Sequence, residues 1–148
     1  MLDSEMLPDK SLGIRFTPCP RCDTRRSIDL TDFPNASGVY VIRLASGMIR
    51  RLRGESPILK IGDTDVGFDN RFVQYNRKSN ETDTRHSLYE VMEIQQKGRT
   101  DAYVMAVLSR LAEPIAVDFY YNATEKDFLA RYLGEHWEVP PLNLALKK

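Results

Sequence analysis

Two short apolar runs, each tied to a glycine, constrain this chain more than any other feature. Gly38-Val39-Tyr40-Val41-Ile42-Arg43-Leu44 is dense in β-branched and aromatic residues and reads as a strand. Ile58-Leu59-Lys60-Ile61-Gly62 is a second short strand. Ala45-Ser46-Gly47 is a turn signal between them. Met48 to Arg53 extends a ribbon that Gly54 to Pro57 breaks. A long hairpin is the simplest link between the two strands.

The period then changes. Phe68, Phe72 and Tyr75 fall at i, i+4 and i+7, which predicts a helix over Phe68–Lys78. Leu88 to Lys97 predicts a second helix, with Gly98 as its stop. Tyr103–Leu108 and Ile115–Tyr121 read as further strands separated by Pro114. Asn122 can cap a last helix running to about His136, followed by Pro140-Pro141-Leu142-Asn143. The order predicts an α/β sandwich: a small mixed or antiparallel sheet between helices. At 148 residues the chain is one domain with a short appendage. The apolar pattern begins near Ser37. Residues 1–34, broken by Pro8, Pro18, Pro20 and Pro34, read as an arm, and 35–148 as the domain proper.

Charge narrows the function classes. The 21 basic and 21 acidic residues cancel, which argues against a polycationic nucleic-acid binder. The mean hides an asymmetry. Tyr40–Asn80 carries a net charge of +4 and Glu113–Glu138 a net charge of −4. Such a dipolar surface could meet a phosphate backbone on one side and a cation on the other. No apolar run approaches the roughly 20 residues of a spanning helix. Met1–Lys10 holds Asp3, Glu5 and Asp9 where an export signal would be basic and apolar. Two cysteines are too few for a disulfide framework, so a reducing cytoplasm is the expected compartment.

Read in order, Gly38-Val39-Tyr40, Lys60-Ile61-Gly62, Arg71-Phe72-Val73-Gln74-Tyr75, Glu125-Lys126-Asp127-Phe128-Leu129-Ala130-Arg131-Tyr132 and Pro141-Leu142-Asn143 resemble the GIY-YIG endonuclease domain. The resemblance covers residues 33–145. It implies a metal-dependent endonuclease that hydrolyses phosphodiester bonds in DNA. It also implies Tyr40, Lys60, Arg71, Tyr75 and Glu125 as catalytic residues, with Gly38, Gly62 and Asn143 supporting the site. The family's commonest pattern has tyrosine at the position of Lys60, and a lysine variant is known within it.

The residue types suit that chemistry. Hydrolysis needs an activated water, charge stabilisation of the transition state and help for the leaving oxygen. Arg71 offers a planar fork to a phosphate and shares a helix face with Tyr75. Glu125 could hold one Mg²⁺ or Mn²⁺, since a single carboxylate with waters and phosphate oxygens suits a hard cation. Glu125 also stands at the N3 position of an Asn122-Ala123-Thr124-Glu125 capping box, and Glu135 is a rival ligand. Tyr40 would activate or orient water. A phenol titrates near pH 10, so it needs a cation beside it, and Lys60 is that cation if the two strands pair with both side chains on one face. Gly38 and Gly62 would allow close backbone approach, and Asn143 would tie the C-terminal segment down.

Cys19-Pro20-Arg21-Cys22 has the spacing of half a zinc knuckle. A four-ligand site in one chain would need both His86 and His136, so two reduced thiols are the expectation. The other function class is a catalytically inactive nucleic-acid-binding module, or a nuclease subunit. With no room for a sequence-reading domain, specificity would come from loops, a homodimer or a targeting partner.

Overall fold

The computed structural model describes residues 7–18, 26–73, 102–110 and 113–143. Strands β1 (Lys10–Gly13), β2 (Phe16–Pro18), β3 (Arg26–Ile28), β4 (Gly38–Leu44), β5 (Ile49–Arg50), β6 (Glu55–Ser56) and β7 (Ile58–Thr64) lead into helix α1 (Phe68–Val73). Helix α2 (Ala102–Ser109), strand β8 (Ile115–Tyr121) and helix α3 (Glu125–His136) follow. The main sheet has the order β1-β8-β4-β7, and every neighbouring pair is antiparallel. β2 pairs with β3, and β5 with β6, as two small ribbons. The class is therefore mixed α and β around an antiparallel sheet.

Alternation along β4 divides the core in two. Tyr40, Ile42 and Leu44 join Phe68 and Phe72 of α1, Val107 of α2, and Ile28, Phe33 and Phe119. Val39 and Val41 point the other way, to Phe128 and Tyr132 of α3 with Ile61 and Tyr120. The sheet thus lies between α1 and α2 on one face and α3 on the other. Phe33 and Tyr40 each meet the Phe72 ring edge-on at 4.9 Å between centroids, a favoured aromatic geometry.

Three expectations are corrected. Residues 102–109 form a helix where a strand was expected over Tyr103–Leu108. Tyr103, Val104 and Val107 favour a strand by propensity, but a short apolar run does not separate strand from buried helix, and Val107 is drawn into the α1 face of the core. The sheet also begins before Ser37. β1 pairs with β8, setting Lys10 opposite Phe119 and Gly13 opposite Ala116. Its burial alternates with Leu12 facing inward, too weak an apolar signal to separate it from an arm. Third, the cap of α3 is Thr124, not Asn122. The Thr124 hydroxyl accepts the Asp127 N–H at 3.3 Å, while Asn122 takes a left-handed φ of 58° in the preceding turn. Glu125 is thereby the first residue of the helix rather than N3, so the capping-box role does not fall to it.

Of the ribbon expected from Met48 to Arg53 only β5 lies there; its partner β6 falls within Gly54–Pro57, the stretch expected to break it. The second predicted helix, Leu88–Lys97, lies outside the described residues, as do Cys19, Cys22, Tyr75 and His86. Among the described residues no helix is long and apolar enough to cross a membrane.

Candidate functional site

The site is built where β7, the edge strand, leaves the cover of the C-terminal segment. Pairing with β4 uses one edge of β7; the other edge meets residues 140–143. Leu142 donates its N–H to the Leu59 carbonyl at 2.9 Å. Asn143 accepts the Ile61 N–H and donates to the Ile61 carbonyl, both at 2.9 Å. One side-chain amide thus substitutes for a neighbouring strand. Two residues on, Asp63 is exposed.

The register sets what faces where. Tyr40 lies opposite Gly62, and Ile42 opposite Lys60, so Tyr40, Lys60 and Gly62 share a face. The ladder then skips from Lys60 to Ile58 opposite Arg43, a bulge that leaves Leu59 as the extra residue. A Cβ on Gly62 would run into the Tyr40 ring, with Cε2 at 2.9 Å and the hydroxyl closer still. The phenol therefore lies across the glycine. Gly38 is required separately: its φ is +144°, and a Cβ there would strike the Tyr120 carbonyl.

Four charged groups meet beside this edge. Lys60 comes from β7 and Arg71 from α1. Asp63 pairs with Val39 and so faces α3, whose first residue is Glu125. Burial holds the Lys60 amine below its usual 10.5, the Arg71 guanidinium pushes it the same way, and Glu125 opposes both. Glu125 is raised above its usual 4.5, first by burial, then by the charge of Asp63 and a hydrogen bond with it; Lys60 and Arg71 oppose. A like charge beside a half-buried carboxyl favours its neutral form, and the two cations favour its ionised one. An open groove of about 530 Å³ is lined by Asp63, Arg71, Thr124 and the backbone turn at Gly38. A shallower one runs from Asp63 and Glu125 along α3.

Lys60, Arg71 and Glu125 are thus brought together from three separate segments. Tyr40 is not exposed to either groove: its exposure is 0% and its ring is part of the α1-side core. Asn143 is buried at the β7 edge. Glu135 lies near the other end of α3, lining with His136 a cavity of about 210 Å³ that also holds the Arg43–Asp118 ion pair. His136 is buried against Tyr132, with its Nδ1 2.8 Å from the Arg53 carbonyl, which makes it a structural residue. Asp63 was missed by motif reading. Its signal is register: counting outward from inward-facing Ile61 places it on the α3 face.

Among the described residues no group of three or more His, Cys, Asp or Glu side chains gathers. The Asp63–Glu125 pair offers oxygen ligands only, which fits a hard, largely hydrated Mg²⁺ or Mn²⁺ and does not resemble a zinc donor set. No family model, curated protein or solved structure matches the chain.

Proposed function

We propose that the chain is a metal-dependent endonuclease of the GIY-YIG type that hydrolyses phosphodiester bonds in DNA. One observation carries this reading. Arg71, Asp63 and Glu125, from three separate elements, line two adjoining open grooves at one edge of the sheet, and the charge of Lys60 reaches Glu125 there. Arg71 is assigned to a non-bridging phosphate oxygen pair, which a guanidinium meets bidentately. Lys60 adds a second positive charge toward the pentavalent transition state. Asp63 and Glu125 would hold Mg²⁺ or Mn²⁺, which would supply Lewis-acid activation of the phosphate and of the leaving oxygen. A bound cation would favour the ionised form of Glu125, whose proton the fold otherwise holds more tightly than usual.

Tyr40 is assigned the activation or orientation of the attacking water, in line with the resemblance. Its complete burial favours a second reading, in which the fold binds nucleic acid without cutting it. A phenol sealed beneath packed rings does not meet water.

Cleavage of plasmid and branched DNA in Mg²⁺, in Mn²⁺ and in chelator separates the two. The nuclease reading expects metal-dependent cutting that Glu125→Ala and Arg71→Ala abolish without lowering the melting temperature. Full activity in Glu125→Ala would overturn the metal assignment. Salt-sensitive binding with no cutting under any condition would establish the binding module.

A further inference from the structure

The chain's single tryptophan closes the end of a helix with its N–H on the Leu133 carbonyl at 2.8 Å, yet its side chain stays outside the core. Trp137 ends α3 as its C-cap residue, at φ 65° and ψ 19°. That left-handed conformation is costly for any residue with a Cβ and is ordinarily given to glycine. Packing does not compensate, because the side chain is 63% exposed. The guanidinium of Arg53, from the turn between β5 and β6, lies 5.5 Å from the indole centroid. Among the described residues no carboxylate comes within ion-pair distance of Arg53. The nearby acid Glu138 is engaged elsewhere, by Arg51 at 3.0 Å and by the Leu52 N–H at 2.6 Å. Leu52, 69% exposed, extends the apolar surface of the same turn. The turn is fixed to the helix end by the Arg53 N–H on the His136 carbonyl at 3.3 Å and by the His136 ring on the Arg53 carbonyl.

This platform is aligned with the candidate site. Lys126, Ala130 and Leu133 recur at helical spacing along one stripe of α3, and Trp137 follows the helix end. The first three of these, with Leu129, wall the shallow groove that starts at Asp63 and Glu125. The groove therefore runs along the helix toward the end that carries Trp137, whose Cα is about 18 Å along the axis from Glu125 at 1.5 Å per residue.

We propose that Trp137 and Arg53 form a stacking platform that holds an unpaired nucleotide of a nucleic-acid substrate. The binding claim stands by itself; its distance from a cut rests on the nuclease reading. Exposed aromatic faces bind bases whose own faces are open, and the paired bases of a duplex are already stacked. The substrate class is therefore duplex DNA with a single-stranded segment, such as a flap, a fork or an end. At 3.4 Å per nucleotide step, 18 Å corresponds to about five nucleotides from the phosphate at Arg71 and Glu125.

The only indole in the chain reports on its own occupancy. Full-length protein in chelator, so that nothing is cut, is titrated with a single-stranded oligonucleotide, a blunt duplex and a forked duplex while tryptophan emission and labelled-DNA anisotropy are followed. The expected result is quenching by the single strand and the fork, and little by the blunt duplex. Trp137→Gly, which suits the left-handed backbone, and Arg53→Gln should each bind the fork more weakly. For loss of the stacked base the drop is roughly 5- to 150-fold. Emission that stays constant while anisotropy saturates, or unweakened fork binding by a folded Trp137→Gly, overturns the platform. So does an absence of DNA binding, including the case in which the patch instead docks a protein. A wild type that is quenched but never cuts in Mg²⁺ removes the nuclease reading and leaves the platform standing. One that cuts plasmid with unmoved emission does the reverse.

Discussion

Asn143→Ala tests the most specific structural claim about the site, that one amide holds the β7 edge. The Asn143 side chain makes two hydrogen bonds of 2.9 Å to the backbone of Ile61, one accepted and one donated. Ile61 is 0% exposed and Asn143 7%, so water does not readily replace the lost partners. Each buried backbone group left unsatisfied costs about 1–3 kcal/mol. Part of that is recovered because an edge strand can relax toward solvent, so the variant should lose about 2–4 kcal/mol. For a chain of this size that corresponds to a melting temperature lower by roughly 5–15 °C. Urea unfolding followed by circular dichroism should show a lower midpoint at unchanged slope. Asn143→Asp keeps the acceptor for the Ile61 N–H but turns a carboxylate oxygen toward the Ile61 carbonyl, so it should not rescue stability. A loss below about 0.5 kcal/mol in Asn143→Ala, the scale of an ordinary surface change, would refute the claim that this amide completes the sheet edge.

Three further outcomes follow from the same coordinates. Gly62→Ala sets a Cβ against the Tyr40 ring and should cost about 1–3 kcal/mol as overpacking, measured by urea unfolding; Gly62→Ala combined with Tyr40→Leu should recover part of it. Lys60→Met removes an amine whose charged form burial disfavours, so the melting temperature should hold or rise while cleavage falls, and a lower melting temperature would show that Lys60 is there for the fold. Glu125 binds its proton more tightly in the fold than in the unfolded chain, since its pKa is raised above 4.5. Its contribution is thus full below pH 4.5 and is lost as pH rises through the raised value. Glu125→Gln should therefore stabilise the metal-free protein more at pH 7 than at pH 4, and Mn²⁺ affinity of the wild type, read by calorimetry, should climb across that window.

The strands that organise the core were legible because they carry apolar residues on both faces. β4, β7 and β8 each place β-branched or aromatic side chains in succession, and such runs have few alternatives as strands. The half-exposed β1 carries one inward apolar side chain, Leu12, and its strand character comes from its partner β8 rather than from its own pattern. The α2 run was ambiguous for the opposite reason, being apolar throughout. Within the site, the approach of Lys60, Arg71 and Glu125 was foreseeable only through the spacing of motifs. Asp63 was hidden because its partner in space lies 62 positions away on α3, and its facing is fixed only once β7 is paired with β4. The burial of Tyr40 was hidden too. A strand aromatic and a catalytic phenol look alike until the ring is seen to lie on Phe72 and Gly62.

The placement of these residues divides the motif into two kinds of requirement. Gly38, Tyr40, Gly62 and Asn143 each have a packing role: a strand start beside the Tyr120 carbonyl, a ring laid over a glycine, and an amide closing a sheet edge. Those roles would hold whether or not the site is reactive. Lys60, Asp63, Arg71 and Glu125 are different. Burial disfavours the charged forms of both Lys60 and Glu125, and each stands beside a like charge that pushes its pKa further the same way. Apolar or neutral residues would serve the fold better at those positions. Lys60 and Glu125 also attract one another, but a phosphate and a hard cation at the open groove would offset the like-charge repulsion on each side. An anion between Lys60 and Arg71 and a cation on Asp63 and Glu125 each cancel the repulsion the fold leaves in place. That complementarity favours a reactive or binding role for these four residues, whatever Tyr40 contributes.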